Sequence, residues 1–403
     1  MSLHPADPAR LNALMRPGTL QLAALPPLSI YVHLPWCLRK CPYCDFNSHE
    51  AAQGVELTRA EAYLAALRAD LDAALPLIWG RPIVSVFIGG GTPSLFSPAQ
   101  IDQLLSDLRA RLPLEPGAEI TLEANPGTFE KDRFRGYREA GVTRLSVGVQ
   151  SFDDSRLQAL GRVHSAEQAK AALREAADCF ERFNLDLMYA LPGQSLSDLS
   201  AELDQALSFN PPHLSVYHLT IEPNTRFALN PPVLPDADLA SEMLDLITAR
   251  TAGQGLERYE VSAYAQDGQR CVHNLNYWAF GDYLGIGAGA HSKLSFPHRV
   301  LRQVRWREPK TYMEQAAQGA AVSNEHEVAR NELPFEFALN ALRLKDGVET
   351  QLFLERTGLP LSSIAQAREQ GVSRGLLVDD PARLQASPRG FDFLSDLQEL
   401  FLA

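Results

Sequence analysis

The sequence predicts an α/β fold: a partial TIM-like (β/α)6 barrel, then an α/β extension and a small C-terminal winged-helix-like domain. Three observations carry this. From Leu28 to about Gln266, short β-branched runs alternate with stretches of 3.6-residue apolar period. The helical stretches open and close on capping residues. After about Ala265 the alternation stops, and a helix-rich pattern begins near Glu327. Strand–helix alternation with short connections implies parallel strands joined by right-handed crossovers. Six or more such units make a barrel or part of one.

The expected strands are Leu28–Leu34, Ile83–Ile88, Glu119–Glu123, Arg144–Val149, Asn184–Tyr189 and His213–Leu219, with a seventh at Glu257–Tyr264. They are rich in Val, Ile and Leu, as in strands covered on both faces. The first expected helix, Thr58–Leu75, places Thr58 and Glu61 at capping-box spacing. Ser97–Leu112 opens Ser-Pro, a cap followed by proline at the first helical position. Phe129–Ala140 stops at Gly141. Ala166–Cys179, Ser195–Leu207 and Ala237–Ala252 complete the barrel helices. Residues 266–326 carry Gly, Tyr, Trp and His in loop-like or short-strand context. Beyond them Asn331–Leu344 and Ser362–Gln370 read as helices, and Arg383–Phe393 as a hairpin around Ser387. The division is therefore a flexible tail at 1–27, a barrel at 28–265, an extension at 266–326 and a C-terminal domain at 327–403.

A chain of 403 residues suits more than one core. Its 45% hydrophobic and 21% charged residues fit a folded, soluble protein. The formal net charge is −12, with no basic block; Arg302, Arg305 and Arg307 are the densest cations and read as a solvated face. General binding to nucleic acid or anionic membrane is therefore not expected. No apolar run reaches bilayer length and no secretory pattern opens the chain, so a cytoplasmic location is expected.

Three of the five cysteines, Cys37, Cys41 and Cys44, form C-x3-C-x2-C directly after the first strand. A disulfide framework would have even numbers and wider spacing. A cubane iron–sulfur cluster usually takes four thiolates, so three leave one iron open to a small molecule with amino and carboxylate groups. The alternative is a zinc site completed by His33 or His49, although zinc usually adds a second cysteine pair and the sequence has none. Gly89-Gly90-Gly91-Thr92-Pro93 follows the second strand, and glycines admit close approach of a ligand to backbone. Glu123, Gln150, Arg162 and Asp186 are polar groups in or beside later apolar strands. Each needs a partner, since an unpaired buried polar group costs about 1–3 kcal/mol.

These motifs together resemble the radical S-adenosylmethionine (SAM) superfamily, and within it the oxygen-independent coproporphyrinogen III oxidase family, over roughly Ser29 to the C-terminus. The resemblance implies a radical SAM barrel holding a [4Fe–4S] cluster on Cys37, Cys41 and Cys44. It implies SAM contacts at Tyr31, Gly90, Gly91, Thr92, Glu123, Gln150, Arg162 and Asp186, with Arg162 on the carboxylate and Asp186 or Glu123 on the ribose. Phe46 stands where the oxidase has a fourth cysteine, and His273-Asn274-Leu275-Asn276-Tyr277-Trp278 matches the H-N-x-x-Y-W motif of the family's haem-chaperone branch. That branch implies haem as cargo, with His273, Asn274, Tyr277 and Trp278 as its site. Cys271 is a second possible ligand. Expected partners are haem-accepting proteins such as respiratory enzymes, some of them membrane-associated, and an electron donor. SAM cleavage is left open, and coproporphyrinogen oxidase activity is not expected. Decarboxylation of coproporphyrinogen III and radical modification of tRNA are the alternatives. Gly285-Ile-Gly287-Ala-Gly289-Ala290 fits a loose dinucleotide pattern, but His291-Ser-Lys-Leu-Ser-Phe-Pro after it is not helix-like. NAD binding is rejected.

Overall fold

The computed structural model describes residues 20–51, 55, 57–78, 80–127 and 133–402. Its centre is one sheet of twelve strands. In chain order the strands of the molecule are β1 (Leu28–Leu34), β2 (Trp36–Cys37), β3 (His49–Glu50), β4 (Ile83–Gly90), β5 (Leu114–Ala124), β6 (Arg144–Gln150), β7 (Arg182–Tyr189) and β8 (His213–His218). They continue with β9 (Glu257–Arg258), β10 (Ala263–Ala265), β11 (Asp282–Ile286), β12 (His291–Phe296), β13 (Arg299–Arg305), β14 (Val322–Glu327), β15 (Val348–Glu349) and β16 (Arg383–Leu384). The sheet runs β14-β13-β12-β11-β1-β4-β5-β6-β7-β8-β10-β9. From β11 through β1 to β8 all neighbours are parallel, and the flanks are antiparallel. The six expected strands are all present, and helices cross between them, as the partial-barrel reading requires.

The helix signals hold where the cap chemistry is complete. Ser97, Ser165 and Ser195 each cap a helix with a full capping box, and the helices run Pro98–Arg109, Ala166–Cys179 and Leu196–Leu207. The first helix is Leu57–Ile78, so Thr58 lies within its first turn and is not the cap. Phe134–Ala140 is helical; the expected start at Phe129 lies outside the described residues.

Four expectations change. The seventh strand is two short antiparallel strands, β9 and β10, with Tyr264 opposite Arg258. In residues 266–326, read as an extension in loop-like or short-strand context, short strands prevail and join the main sheet: β11 pairs in parallel with β1, and β12, β13 and β14 extend it. The H-N-x-x-Y-W segment is itself a helix, Val272–Trp278. The ribbon of the C-terminal part is β15 against β16, not a hairpin inside 383–393. Ser387 instead caps a short helix, Pro388–Asp392, with proline at its start.

The arginine cluster of β13 is not a solvated face. Strand alternation buries Arg305 completely, where its Nε meets Asp70 at 3.3 Å. Tyr312 donates to the same carboxylate. Arg302 pairs Glu336, and only Arg307 is exposed. At the end of the segment expected to be loose, the Leu20 and Leu22 amides donate to His298 and Pro297 carbonyls. Residues 1–19 lie outside the described residues. A large core fills both faces of the sheet, and a second one gathers Leu333, Phe337, Phe353 and Leu397 with Leu20, Phe280 and Val300.

Candidate functional site

The carboxyl ends of the parallel strands open into a chamber of about 540 Å³, the end of a barrel that carries chemistry. Cys37, Cys41 and Cys44 line one side of it. The loop that holds them is pinned to the glycine run: the Gly91 amide donates to Leu34 and the Thr92 amide to Trp36. A Cβ on Gly91 would sit 2.6 Å from the Trp36 carbonyl, so the two loops meet this closely only with glycine there. Thr92 donates to Cys37 Sγ at 3.4 Å, and Arg162 Nη1 lies 3.9 Å from Cys41 Sγ. Burial pushes the Cys37 thiol up to about 11, against the Thr92 hydrogen bond. The zinc alternative loses His33 as its fourth ligand. His33 Nε2 donates to the Asn47 carbonyl and Nδ1 accepts from Tyr31, which uses both ring nitrogens. His49 is bonded to Arg307 backbone.

The four later polar residues converge. Glu123, Gln150, Arg162 and Asp186 all line this chamber with Gly90, Gly91 and Thr92. Glu123 accepts from the Gly90 amide at 3.2 Å. Desolvation, then the Asp186 charge, push its carboxyl up to about 8. Asp186 accepts from Ser146 and Asn184. Gln150 ends β6 with φ 69, a left-handed conformation at a strand end. The Arg162 Nη2 group donates to Asn125 and to the Gly148 carbonyl, while its buried Nε has no hydrogen-bond partner among the described residues.

The H-N-x-x-Y-W helix splits. His273, Asn274 and Tyr277 line the chamber. Trp278 does not: it packs on the second core under the Arg343 guanidinium, 4.2 Å from the ring centre. A helix turns residues one apart by about 100°, so neighbours Tyr277 and Trp278 serve different faces. His273 stacks on Phe87 at 4.4 Å and 8°, and its Nδ1 lies 3.4 Å from Glu119. Glu119, Cys271 and His273 form a buried trio whose ligand atoms lie within 4.8 Å. Arg144 pairs Glu119 at 2.8 Å. Against desolvation, which raises it, the His273 hydrogen bond and the Arg144 charge hold the Glu119 carboxyl down at about 2.

A second chamber of about 480 Å³ adjoins the first. Tyr31, expected at the cofactor, lines this outer chamber and stacks on Phe87 at 5.8 Å. Phe87, Gly90, Glu123 and Tyr277 face both chambers. Sequence reasoning missed Asn125, Glu119 and Arg144. Asn125 had a signal, since it sits in Leu-Glu-Ala-Asn-Pro at the end of β5 beside Glu123. Gly285–Ala290 joins two antiparallel strands and no helix opens on it, which agrees with rejecting a dinucleotide.

The donor set suits a cluster and a zwitterionic nucleoside cofactor. Three thiols line the chamber, the Glu123 and Asp186 carboxyls face it with no ion pair among the described residues, and the Arg162 guanidinium keeps one N–H unused. Comparison with known proteins points the same way. The family model "Radical SAM superfamily" matches residues 31–206, and "HemN C-terminal domain" matches 328–393. A heme chaperone HemW of Escherichia coli is 46% identical over 95% of this chain and 100% of that protein. The HemW of Haemophilus influenzae is 45% identical over 94% and 98%, and that of Bacillus subtilis 34% over 83% and 88%. Among solved structures, the coproporphyrinogen III oxidase HemN of Escherichia coli shares the fold, with a TM-score of 0.81, 24% identity, and coverage of 98% of this chain and 93% of that one.

Proposed function

The chain belongs to the HemW family of radical SAM proteins, and on that premise we propose that it binds haem beside a [4Fe–4S] cluster and SAM and hands the haem to acceptor proteins. The observation that carries the reading is that His273, Asn274 and Tyr277 line the same chamber as Cys37, Cys41 and Cys44. Cargo motif and cofactor motif thus meet in space although they lie far apart in the chain. Cys37, Cys41 and Cys44 would hold the cluster. Gly90, Gly91, Thr92, Glu123, Gln150, Arg162 and Asp186 would hold SAM, with the spare Arg162 N–H on its carboxylate. Bound together, these two groups supply reductive radical chemistry. The chain's own part is to orient them, to keep Glu123 a proton donor near neutral pH, and to keep bulk water out. Tyr31 would act through the shared wall, since it stacks on Phe87.

Phe46 in place of a fourth cysteine favours the carrier over the oxidase; it is 62% exposed at the rim of both chambers. Respiratory enzymes are the proposed acceptors, and a reductant protein the proposed electron donor. No described helix is long and apolar enough to cross a membrane, so an acceptor in the membrane would be met at its surface. Anaerobic reconstitution with iron and sulfide, then haem titration and a coproporphyrinogen III assay, tests the reading. Haem uptake without porphyrinogen turnover is expected. Robust decarboxylation, or no haem uptake, would overturn it. An Arg162→Ala protein should bind SAM at least about tenfold more weakly; unchanged affinity removes the carboxylate role.

A further inference from the structure

We propose that Glu119 is the positioning residue of the haem site: its carboxylate takes the Nδ1–H of His273 and leaves Nε2, with its lone pair, as the atom offered to the haem iron. The inference deepens the haem-carrier reading and rests on it. His273 lies in the first turn of the Val272–Trp278 helix and lines the chamber of the three cysteines. Imidazole is a common ligand of haem iron, but it ligates only through a nitrogen that carries no proton. A neutral ring has one such nitrogen, and the hydrogen bond made by the other decides which it is.

His273 Nδ1 lies 3.4 Å from Glu119 Oε1 and 3.5 Å from Thr121 Oγ1. The carboxylate is the stronger acceptor of the two. Nε2 has no hydrogen-bond partner among the described residues. The plane of the ring is fixed as well, since it stacks on Phe87 at 4.4 Å and 8°.

Strand β5 puts Glu119 in this place. Alternation sets Glu119, Thr121 and Glu123 on one face of the strand. Thr121 and Glu123 line the chamber, and Glu119, two residues earlier, meets the start of the helix. Its Oε1 accepts from the Val272 amide at 2.8 Å, at a helix start where Cys271 supplies no side-chain cap. Its Oε2 accepts from Arg144 Nε at 2.8 Å, and Arg144 Nη2 donates to the Gln269 carbonyl at 2.9 Å. Both charged groups are buried. One ion pair thus ties β5 and β6 to the segment that leads into the H-N-x-x-Y-W motif. Cys271 completes a trio with Glu119 and His273 whose ligand atoms lie within 4.8 Å. A cation bound by that trio would lie beside the Arg144 guanidinium and be repelled by it. The carboxylate therefore serves as a hydrogen-bond acceptor and not as a metal ligand. An anionic acceptor on Nδ1–H makes the imidazole a stronger donor to iron, which favours the ferric state.

The test is haem titration of the anaerobically reconstituted full chain, read by haem affinity, Soret band and the midpoint potential of the bound haem. Glu119→Gln should weaken haem binding by about tenfold or more and raise the midpoint potential, with SAM affinity unchanged. The double variant Glu119→Gln, Arg144→Met leaves no buried charge unpaired; it should show the same rise, and it carries the test where the single variant does not fold. His273→Ala should lose the wild-type band. In ferrous wild-type protein the iron–imidazole stretch, read by resonance Raman, should lie above that of haem bound to free imidazole. An unmoved potential overturns the positioning role, even where binding weakens, since lost packing alone would not spare the potential if Glu119 tuned the ligand. A stretch equal to that of free imidazole overturns it too, as does a His273→Ala protein with the wild-type band. These three results leave the carrier reading intact. Wild-type protein that takes up no haem overturns both.

Discussion

Glu123 shows what single residues contribute. Desolvation and Asp186 raise its carboxyl from an ordinary 4.5 to about 8. The folded state then binds more protons than the unfolded one between those values, so folding stability without ligand falls as pH climbs through that window. Glu123→Gln mimics the protonated form. Its Tm should exceed wild type at about pH 9 and match it near pH 4, while its SAM affinity drops. An equal Tm gain at both pH values would contradict the assignment. At this scale much of the site was legible. Gly90, Gly91, Thr92, Glu123 and Gln150, expected at or just after strand ends, line the cysteine-bearing chamber, because strand polarity in a parallel sheet fixes which end faces the chemistry. Trp278 was not legible: a motif says which residues recur, and not which face of a helix each one takes.

Among elements, the most readable are those whose ends carry their own hydrogen-bonding chemistry. Ser165 accepts from the Gln168 amide and Gln168 returns the bond. Ser165→Ala should cost about 1 kcal/mol in denaturant unfolding and leave SAM binding unchanged. The less readable elements depend on distant partners. β11 falls in a stretch that reads from sequence as loop-like or short-strand, because its pairing with β1 is invisible locally. Arg305 reads as solvated until β13 turns it toward Asp70. The glycine-rich segment after β11 belongs with these. Gly287→Ala would force a side chain into left-handed backbone and into the His33 carbonyl. A loss of about 2 kcal/mol or more is expected by thermal unfolding, and a variant as stable as wild type would refute the close approach.

Across the whole molecule, the second core ties Leu20, the first described residue, and the C-terminal helices to the sheet, since it joins Leu20, Phe280 and Val300 to Phe337, Phe353 and Leu397. Trp278 belongs to that joint. Trp278→Ala should lower stability by about 2 kcal/mol or more and leave the Soret band of the haem-loaded protein in place. A displaced band with unchanged Tm would return Trp278 to the haem. The pairing of β1 has a different consequence, which concerns time. β1 is at the middle of the sheet, between β4 and β11, and Leu28 lies opposite Asp282. On the ribosome, β4 follows soon after β1, but most of the sheet must be synthesised before β11 emerges. Until then one side of this interior strand is an open edge of unpaired backbone, the kind that captures stray strands. Contacts so remote in sequence also slow folding. A nascent chain of this topology therefore spends its synthesis exposed to aggregation and in need of shelter by other chaperones.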